Sequence, residues 1–246
     1  MSVKIYAHRG ASLRYPENTL EAISEAIRLG ADGVELDVQR TADGQLVVIH
    51  DEELTRLTGS PGFVKDLTLA ELRTKNVGHY RGENGSVPTL EEVLDLFRHN
   101  DLEINLELKN SLYPLPELED DILRQVAEFG LESRVIYSSF NHLSVKQFVE
   151  KGVGDRTGIL FSEWLYRPWE YAKTLGAAAL HPSYNVLQYP DLVRVCRENG
   201  IAIRTWTVDL PEHMDLVLAL SPDAMITNDP ALAMERRAAL EGMHET

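Results

Sequence analysis

Gly33-Val34-Glu35-Leu36-Asp37-Val38 alternates apolar and acidic side chains without a break, and the rhythm returns in Ile104-Asn105-Leu106-Glu107-Leu108-Lys109. In a β-strand, side chains two apart point the same way, with their Cα atoms about 6–7 Å apart. Glu35 and Asp37 therefore share one face, and so do Glu107 and Lys109. Two further apolar runs end in ionisable residues: Val3-Lys4-Ile5-Tyr6-Ala7 leads into His8-Arg9-Gly10, and Leu46-Val47-Val48-Ile49 delivers His50-Asp51. The charges stand at the ends of segments whose other residues belong in a core.

Outward from these segments the chain alternates strand and helix patterns. The strands are expected over 3–8, 33–38, 103–108, 134–138, 156–160, 177–181, 201–206 and 223–227. Helical periodicity fills 19–29, 89–99, 117–129, 141–150, 167–175, 190–199, 211–219 and 230–240. Eight strand–helix pairs in regular order predict an α/β fold of one kind, a parallel sheet closed into a (β/α)8 TIM barrel. No Gly-x-Gly-x-x-Gly follows the first strand, so an open sheet carrying a dinucleotide has no support. Asn18 with Glu21, Thr68 with Glu71 and Thr89 with Glu92 each read as a capping box at a helix start. The chain is read as a single catalytic domain over 1–246. Residues 52–87 form a small insertion after the second strand, far longer than an ordinary strand-to-helix link. Barrel enzymes build their sites at that rim, so the insertion is expected to wall one side of the pocket.

Composition narrows the function classes. With 24 Lys and Arg against 39 Asp and Glu, the 246-residue chain carries a formal charge of −15. That charge repels nucleic-acid backbones and argues against stable association with anionic membranes. A small anionic substrate then needs local cations that outweigh the global field. The single cysteine, Cys196, excludes an internal disulfide framework and a cysteine metal site. The N-terminal residues show no signal-peptide pattern, and no run is long and apolar enough for a membrane span, which gives a cytoplasmic expectation.

Strands of a barrel are covered on both faces. With Val34, Leu36 and Val38 facing the helices, Glu35 and Asp37 point into the barrel mouth, joined by Glu107 from a neighbouring strand. Each pair of carboxylates at 4 Å repels by roughly 4 kcal/mol at an effective dielectric near 20. Lys109 alone cannot balance three acids; a divalent cation can. An all-oxygen donor set selects a hard ion, Mg²⁺ or Ca²⁺, with Mn²⁺ also compatible. The competing reading is neutralisation by Arg9, Lys109 or Arg204.

His8 and His50 end apolar strands on segments that bracket Glu35 and Asp37, which suits a general acid and a general base on opposite sides of a reacting centre. Arg9 offers a planar fork for phosphate oxygens and Lys109 a point charge. Trp206, ending the seventh strand, would form an apolar wall, and His181 is expected as a rim residue. Together these residues fit metal-assisted displacement at a phosphate ester.

The same residues carry a resemblance. His8-Arg9-Gly10, Pro16-Glu17-Asn18-Thr19, Glu35-Leu36-Asp37-Val38, His50-Asp51, Glu107-Leu108-Lys109, Trp206-Thr207-Val208 and Ile226-Thr227-Asn228-Asp229-Pro230, in this order, resemble the glycerophosphodiester phosphodiesterase family over nearly the whole chain. The resemblance implies a (β/α)8 barrel, metal ligands at Glu35, Asp37 and Glu107, and an acid–base pair at His8 and His50. It implies Arg9 and Lys109 on the phosphate, and hydrolysis of glycerophosphodiesters to sn-glycerol 3-phosphate and an alcohol. Attack comes either from water or from the substrate's own hydroxyl through a cyclic phosphate. Asp209, where family members often carry Asn, and Asn228, where they often carry Asp, are the two departures, expected to stand clear of the ion and the acid–base pair. Rival readings are a phospholipase D-like enzyme of the same barrel group acting on lysophospholipids, and a non-catalytic phosphodiester-binding barrel. The second would have lost a histidine or a carboxylate, and none is missing. A monomer and a dimer are both compatible with this sequence.

Overall fold

Parallel register between neighbouring strands sets the architecture in the computed structural model, which describes residues 2–244; Met1, Glu245 and Thr246, the ends of the expected 1–246 span, lie outside the described residues. The strands are β1 (Lys4–His8), β2 (Gly33–Arg40), β3 (Leu46–Val48), β4 (Glu103–Leu108), β5 (Val135–Ser139), β6 (Thr157–Phe161), β7 (Ala179–Pro182), β8 (Ala202–Thr205) and β9 (Ala224–Thr227). Eight of them pair in parallel, and a β1–β2 pairing closes the ring. The fold is a TIM barrel, as the alternating pattern predicts.

β3 is the exception. It pairs antiparallel with the end of β2, Val38 against Val48 and Arg40 against Leu46, and takes no part in the ring. The sequence marks Leu46–Ile49 as an apolar strand ending at His50, but its antiparallel pairing has no local signal. Its effect is to fold the chain back, so that Ile49 N donates to Asp37 O at 2.9 Å and the Gln39 amide donates to both the Ile49 and His50 carbonyls at 3.0 Å. His50 is thereby held over the C-terminal end of β2. The following segment buries its own apolar set, Val47, Ile49, Leu54, Leu57, Val64, Leu72, Val77 and Val87, and leans on the rim.

The main core lies between the sheet and the helices. Val34, Leu36 and Val38 on β2 pack against Ile23 of helix Leu20–Leu29 and Val93 of helix Leu90–Leu96, all wholly buried. Burying each of these side chains contributes about 1.5–3 kcal/mol. The capping boxes at Thr68/Glu71 and Thr89/Glu92 are present. The one read at Asn18 is not: Thr19 is the N-cap, accepting from Ala22 N, and Asn18, at φ 59°, turns its side chain into the barrel mouth. Cys196 is buried. None of the described helices is long and apolar enough to cross a membrane.

Inside the ring the side chains form layers. Tyr6, Ile136, Ala224 and Ile226 make a small apolar plug. Beside it sits His181, which is not at the rim as expected but wholly buried, its Nε2 3.4 Å from Arg204 Nη1. Its ring occupies the space that a side chain on β6 would need: a Cβ on Gly158 would lie 2.2 Å from His181 Nε2. Gly158→Ala should therefore cost about 1–3 kcal/mol by overpacking, read from the urea midpoint. The double variant with His181→Ala should show a smaller loss than the sum of the two singles.

Candidate active site

Register brings the acids together. β2 and β4 pair with Asp37 opposite Glu107 and Glu35 opposite Asn105, while β1 places His8 opposite Glu35. Strands in a sheet lie about 4.8 Å apart, so paired residues on the same face cannot avoid each other. One oxygen from each of Glu35, Asp37 and Glu107 lies within 4.8 Å of the others, and all three residues are buried.

Protein cations meet this cluster only in part. Arg9 Nε lies 3.2 Å from Asp37 Oδ2, and the same guanidinium is shared with Glu17 at 2.8 Å. Lys109 Nζ lies 2.9 Å from Glu107 Oε1 and 3.9 Å from Asp37 Oδ1. Glu35 Oε1 and Asp37 Oδ1 are buried with no hydrogen-bond partner. Buried carboxylate oxygens without partners are costly, and their all-oxygen grouping has the chemistry of a hard divalent ion. A second group, Glu17, His50 and Asp51, also lies close enough to share an ion. Its carboxylates, however, already accept from Arg56 at 2.6–3.1 Å and from Arg9, so that cluster is satisfied.

Burial, with Asp37 and then Glu107 close by, drives the Glu35 carboxyl well above the ordinary value. Burial and Asp37 raise Glu107 as well. Burial also pushes Asp37 up, but His50, Arg9, Lys109 and an Asn18 hydrogen bond outweigh it and hold Asp37 low. Three adjacent acids do not ionise together without added positive charge.

The Arg9 fork is aimed by backbone conformation. Arg9 itself has φ 59°, and Gly10 follows at φ 81°. A Cβ on Gly10 would meet the Ala22 carbonyl carbon at 2.5 Å, so this loop seats on helix Leu20–Leu29 only because Gly10 lacks one. Arg9 O accepts from Asn18 N at 2.9 Å, and Asn18 Nδ2 donates to Asp37 Oδ2 at 2.8 Å.

The two histidines have different supports. His50 Nδ1 lies 2.6 Å from Asp51 Oδ1, and its Nε2 accepts from Lys109 Nζ at 3.2 Å. His8 Nδ1 lies 2.8 Å from Asn228 Oδ1, and its Nε2 lies 3.8 Å from Glu35 Oε2. Burial and the neighbouring Arg9 charge push His8 down to about 4. The expectation of standing clear of the acid–base pair is overturned for Asn228, because the loops after β8 and β9 converge on the end of β1; Asp209 bonds only Thr227 and Asn228. A cavity of about 80 Å³ lies between His8, Arg9, Glu35, His50 and Glu107, with Phe140, Leu160, Trp206 and Asn105 as its other walls. Trp206 is an apolar wall as expected, its indole N–H tied to His181 O at 2.7 Å.

The structure thus brings together the eight residues proposed for the site, His8, Arg9, Glu35, Asp37, His50, Glu107, Lys109 and Trp206, while His181 lies apart from them. Sequence reading missed Asn18, Asp51, Arg56, Asn105, Phe140 and Asn228. Asn105 could have been found, since it precedes Glu107 by two and shares its face. Arg56 lies in Leu54-Thr55-Arg56-Leu57-Thr58-Gly59, a run that belongs to the family resemblance but carries no assigned role, and Phe140 carries no local signal.

Comparison with known proteins agrees with this geometry. The model of the glycerophosphoryl diester phosphodiesterase family matches residues 8–232. A glycerophosphodiester phosphodiesterase of Caldanaerobacter subterraneus subsp. tengcongensis is 42% identical over 94% of this chain and 96% of its own. Among solved structures, the glycerophosphodiester phosphodiesterase of Thermotoga maritima superposes with a TM-score of 0.80 at 31% identity, over 96% of this chain and 98% of that one. A phosphodiesterase of Oleispira antarctica, solved in complex with its product sn-glycerol-3-phosphate, gives 0.81 at 25% identity over 96% of both chains.

The crowding of the acids makes a prediction that does not depend on turnover. Because burial and the neighbouring acids raise the Glu35 carboxyl and an ion requires its ligands deprotonated, adding Mg²⁺ or Ca²⁺ to the apo protein should release protons, read with a weakly buffered indicator dye. Glu35→Gln should remove that release and the cation-induced rise in Tm, while leaving the apo Tm unchanged or higher.

Proposed function

This chain belongs to the glycerophosphoryl diester phosphodiesterase family, and on that premise we propose that it hydrolyses glycerophosphodiesters, such as glycerophosphocholine, to sn-glycerol 3-phosphate and an alcohol. The observation that carries the reading is the pair of buried, unpartnered oxygens on Glu35 and Asp37, beside Glu107, at the mouth of a barrel whose two histidines flank the same cavity. The product held by the Oleispira antarctica relative has the chemistry expected here.

In this reading Glu35, Asp37 and Glu107 hold a divalent cation, Mg²⁺ or Ca²⁺ by donor chemistry, with Mn²⁺ also accommodated. When bound, the cation supplies Lewis acidity and positive charge to the phosphoryl oxygens. Arg9 and Lys109 bind the phosphate: Arg9, which reaches Asp37, lines the cavity, and Lys109 reaches Glu107, another residue of its lining. They supply the local positive charge that an anionic substrate needs in a chain of net −15. An attacking hydroxyl, from water or from the glycerol moiety, forms a bond to phosphorus as the bond to the departing alcohol breaks. One of His8 and His50 takes the hydroxyl proton, and the other gives a proton to the leaving oxygen. Trp206, with Phe140 edge-on to it at 5.5 Å between ring centroids, excludes water from the apolar side. The barrel acts as one catalytic unit, with 52–87 as its insertion, and its Arg56 braces Asp51 behind His50.

A coupled glycerol-3-phosphate assay over several glycerophosphodiesters, with Mg²⁺, Ca²⁺, Mn²⁺ or none, tests the reading. Exhaustive EDTA treatment should silence the enzyme, and restored cation should revive it. His8→Ala and His50→Ala should each lower kcat by about 10²–10⁴-fold with the circular-dichroism spectrum retained. Full activity in the chelated protein would end the metal assignment, and a variant that keeps its rate would remove that histidine.

One observation favours hydrolysis of lysophospholipids as a second activity. A cleft of about 790 Å³, lined by Leu112, Pro114, Phe140, Leu143 and Tyr171, adjoins the catalytic cavity through Phe140. Leu112 and Leu143 stand largely exposed there. If that cleft takes an acyl chain, Leu143→Glu should lower kcat/KM for lysophosphatidylcholine and leave that for glycerophosphocholine unchanged.

A further inference from the structure

At the end of the barrel opposite the catalytic cavity, the strands turn charged side chains inward. Ile5 of β1 and Ile203 of β8 lie in the outer core against the helices, so alternation aims Lys4 and Arg204 at the barrel axis. Both are paired in register with the same residue, Ala224 of β9. Two strand spacings put them about 10 Å apart, and the alanine between them fills little of the gap. A cavity of about 640 Å³ opens there, lined by Lys4, Tyr6, Arg197, Arg204, Ser221 and Asp223.

The charges in this hollow are unequally matched. Lys4 Nζ pairs with Glu103 Oε2 at 2.7 Å, and the Tyr6 hydroxyl donates to the same oxygen. Asp223 Oδ2 accepts from Ile203 N at 2.7 Å. Arg197, in the last turn of helix Leu192–Glu198, donates to the Ser221 carbonyl at 2.6 Å. Arg204 Nη1 lies 3.4 Å from His181 Nε2. Among the described residues neither arginine forms an ion pair, although the chain has 39 acidic residues for 24 basic ones. Lys4, Arg197 and Arg204 outnumber Glu103 and Asp223, so the hollow is locally positive in an acidic protein.

We propose that this N-terminal mouth of the barrel is a second anion site, held by Lys4, Arg197 and Arg204, and that it takes a phosphate dianion, either free or as the monoester of a small alcohol. The assignment does not depend on the reading of the active site, because the two cavities share no lining residue.

The donors come from three directions: β1, β8 and the helix that precedes β8. A phosphate monoester offers three outer oxygens to such a set, and each guanidinium presents a planar fork that matches two of them. Lys4 adds a point charge without demanding a fixed geometry. A carboxylate, with two oxygens in one plane, suits three separated donors less well. The cavity is in the size range of small-molecule sites, so it has room beyond the phosphate for an alcohol moiety, with Ser221 and Asp223 on its border.

The experiment follows the arginine Nε–H signals by ¹H–¹⁵N NMR in the full-length protein, with Arg197→Gln and Arg204→Gln assigning the two signals. Inorganic phosphate, sn-glycerol 3-phosphate and acetate are titrated separately at constant ionic strength and about pH 8, where a phosphate monoester is doubly charged. Phosphate or its glycerol ester should move both signals along one saturating curve, and acetate should leave them nearly in place. The tighter of the two phosphates identifies the source, the free ion or a monoester. Arg197 is exposed, so Arg197→Gln keeps the fold; it should weaken that ligand by about 10-fold, the scale of one charged hydrogen bond, read from the Arg204 signal. A linear drift without saturation, a response to acetate as tight as that to phosphate, or an unchanged affinity in Arg197→Gln overturns the site. A response confined to the Arg9 signal places the anion in the catalytic cavity and overturns it too.

Discussion

Three carboxylates forced into one small volume are the constraint on which the rest of this structure depends. Parallel pairing sets Asp37 against Glu107, and alternation puts Glu35 on the same face two residues earlier. They are held near one another because the strands that carry them are fixed by the apolar faces of Val34, Leu36, Val38, Leu106 and Leu108 against the helices. The core that stabilises the barrel thus also enforces the repulsion at its mouth. A site of this kind lowers the stability of the apo protein and returns it when an ion binds, a trade common where function needs unfavourable charge.

Around the acids the protein places just enough positive charge to hold the cluster, and not enough to satisfy it. Arg9 divides itself between Asp37 and Glu17, and Lys109 between Glu107, Asp37 and His50. The remaining oxygens stay unpaired. Full neutralisation by protein cations would have given a stable, inert core; partial neutralisation leaves buried carboxylate oxygens whose chemistry suits a hard cation. In the proposed reading, Arg9 and Lys109 are also the local positive charge that an anionic substrate needs in an acidic chain.

The two histidines look equivalent along the chain, each ending an apolar strand and each followed by a charged residue. Their surroundings are not equivalent. His50 leans on Asp51, itself gripped by Arg56, and lies under a strand that reverses direction. His8 leans on a neutral amide whose orientation is dictated from a third loop. The difference is made by loops that are remote in sequence and adjacent in the ring.

Much of this was legible before any coordinates. Alternation alone placed Glu35 with Asp37 and Glu107 with Lys109, because a strand's two-residue period is a local property. Regular strand–helix order gave the barrel, since a parallel sheet must be closed or covered. Tertiary structure decided what depends on register and on chain reversal. It moved Asn18 from a helix cap to an Asp37 partner, sank His181 beneath the rim, made Leu46–Val48 an antiparallel return that carries His50 over β2, and brought Asn228, with Asp209 behind it, to His8. The physical reason is one of range: side-chain periodicity is written in neighbouring residues, whereas the contacts that orient a functional group cross between strands whose pairing no single segment encodes.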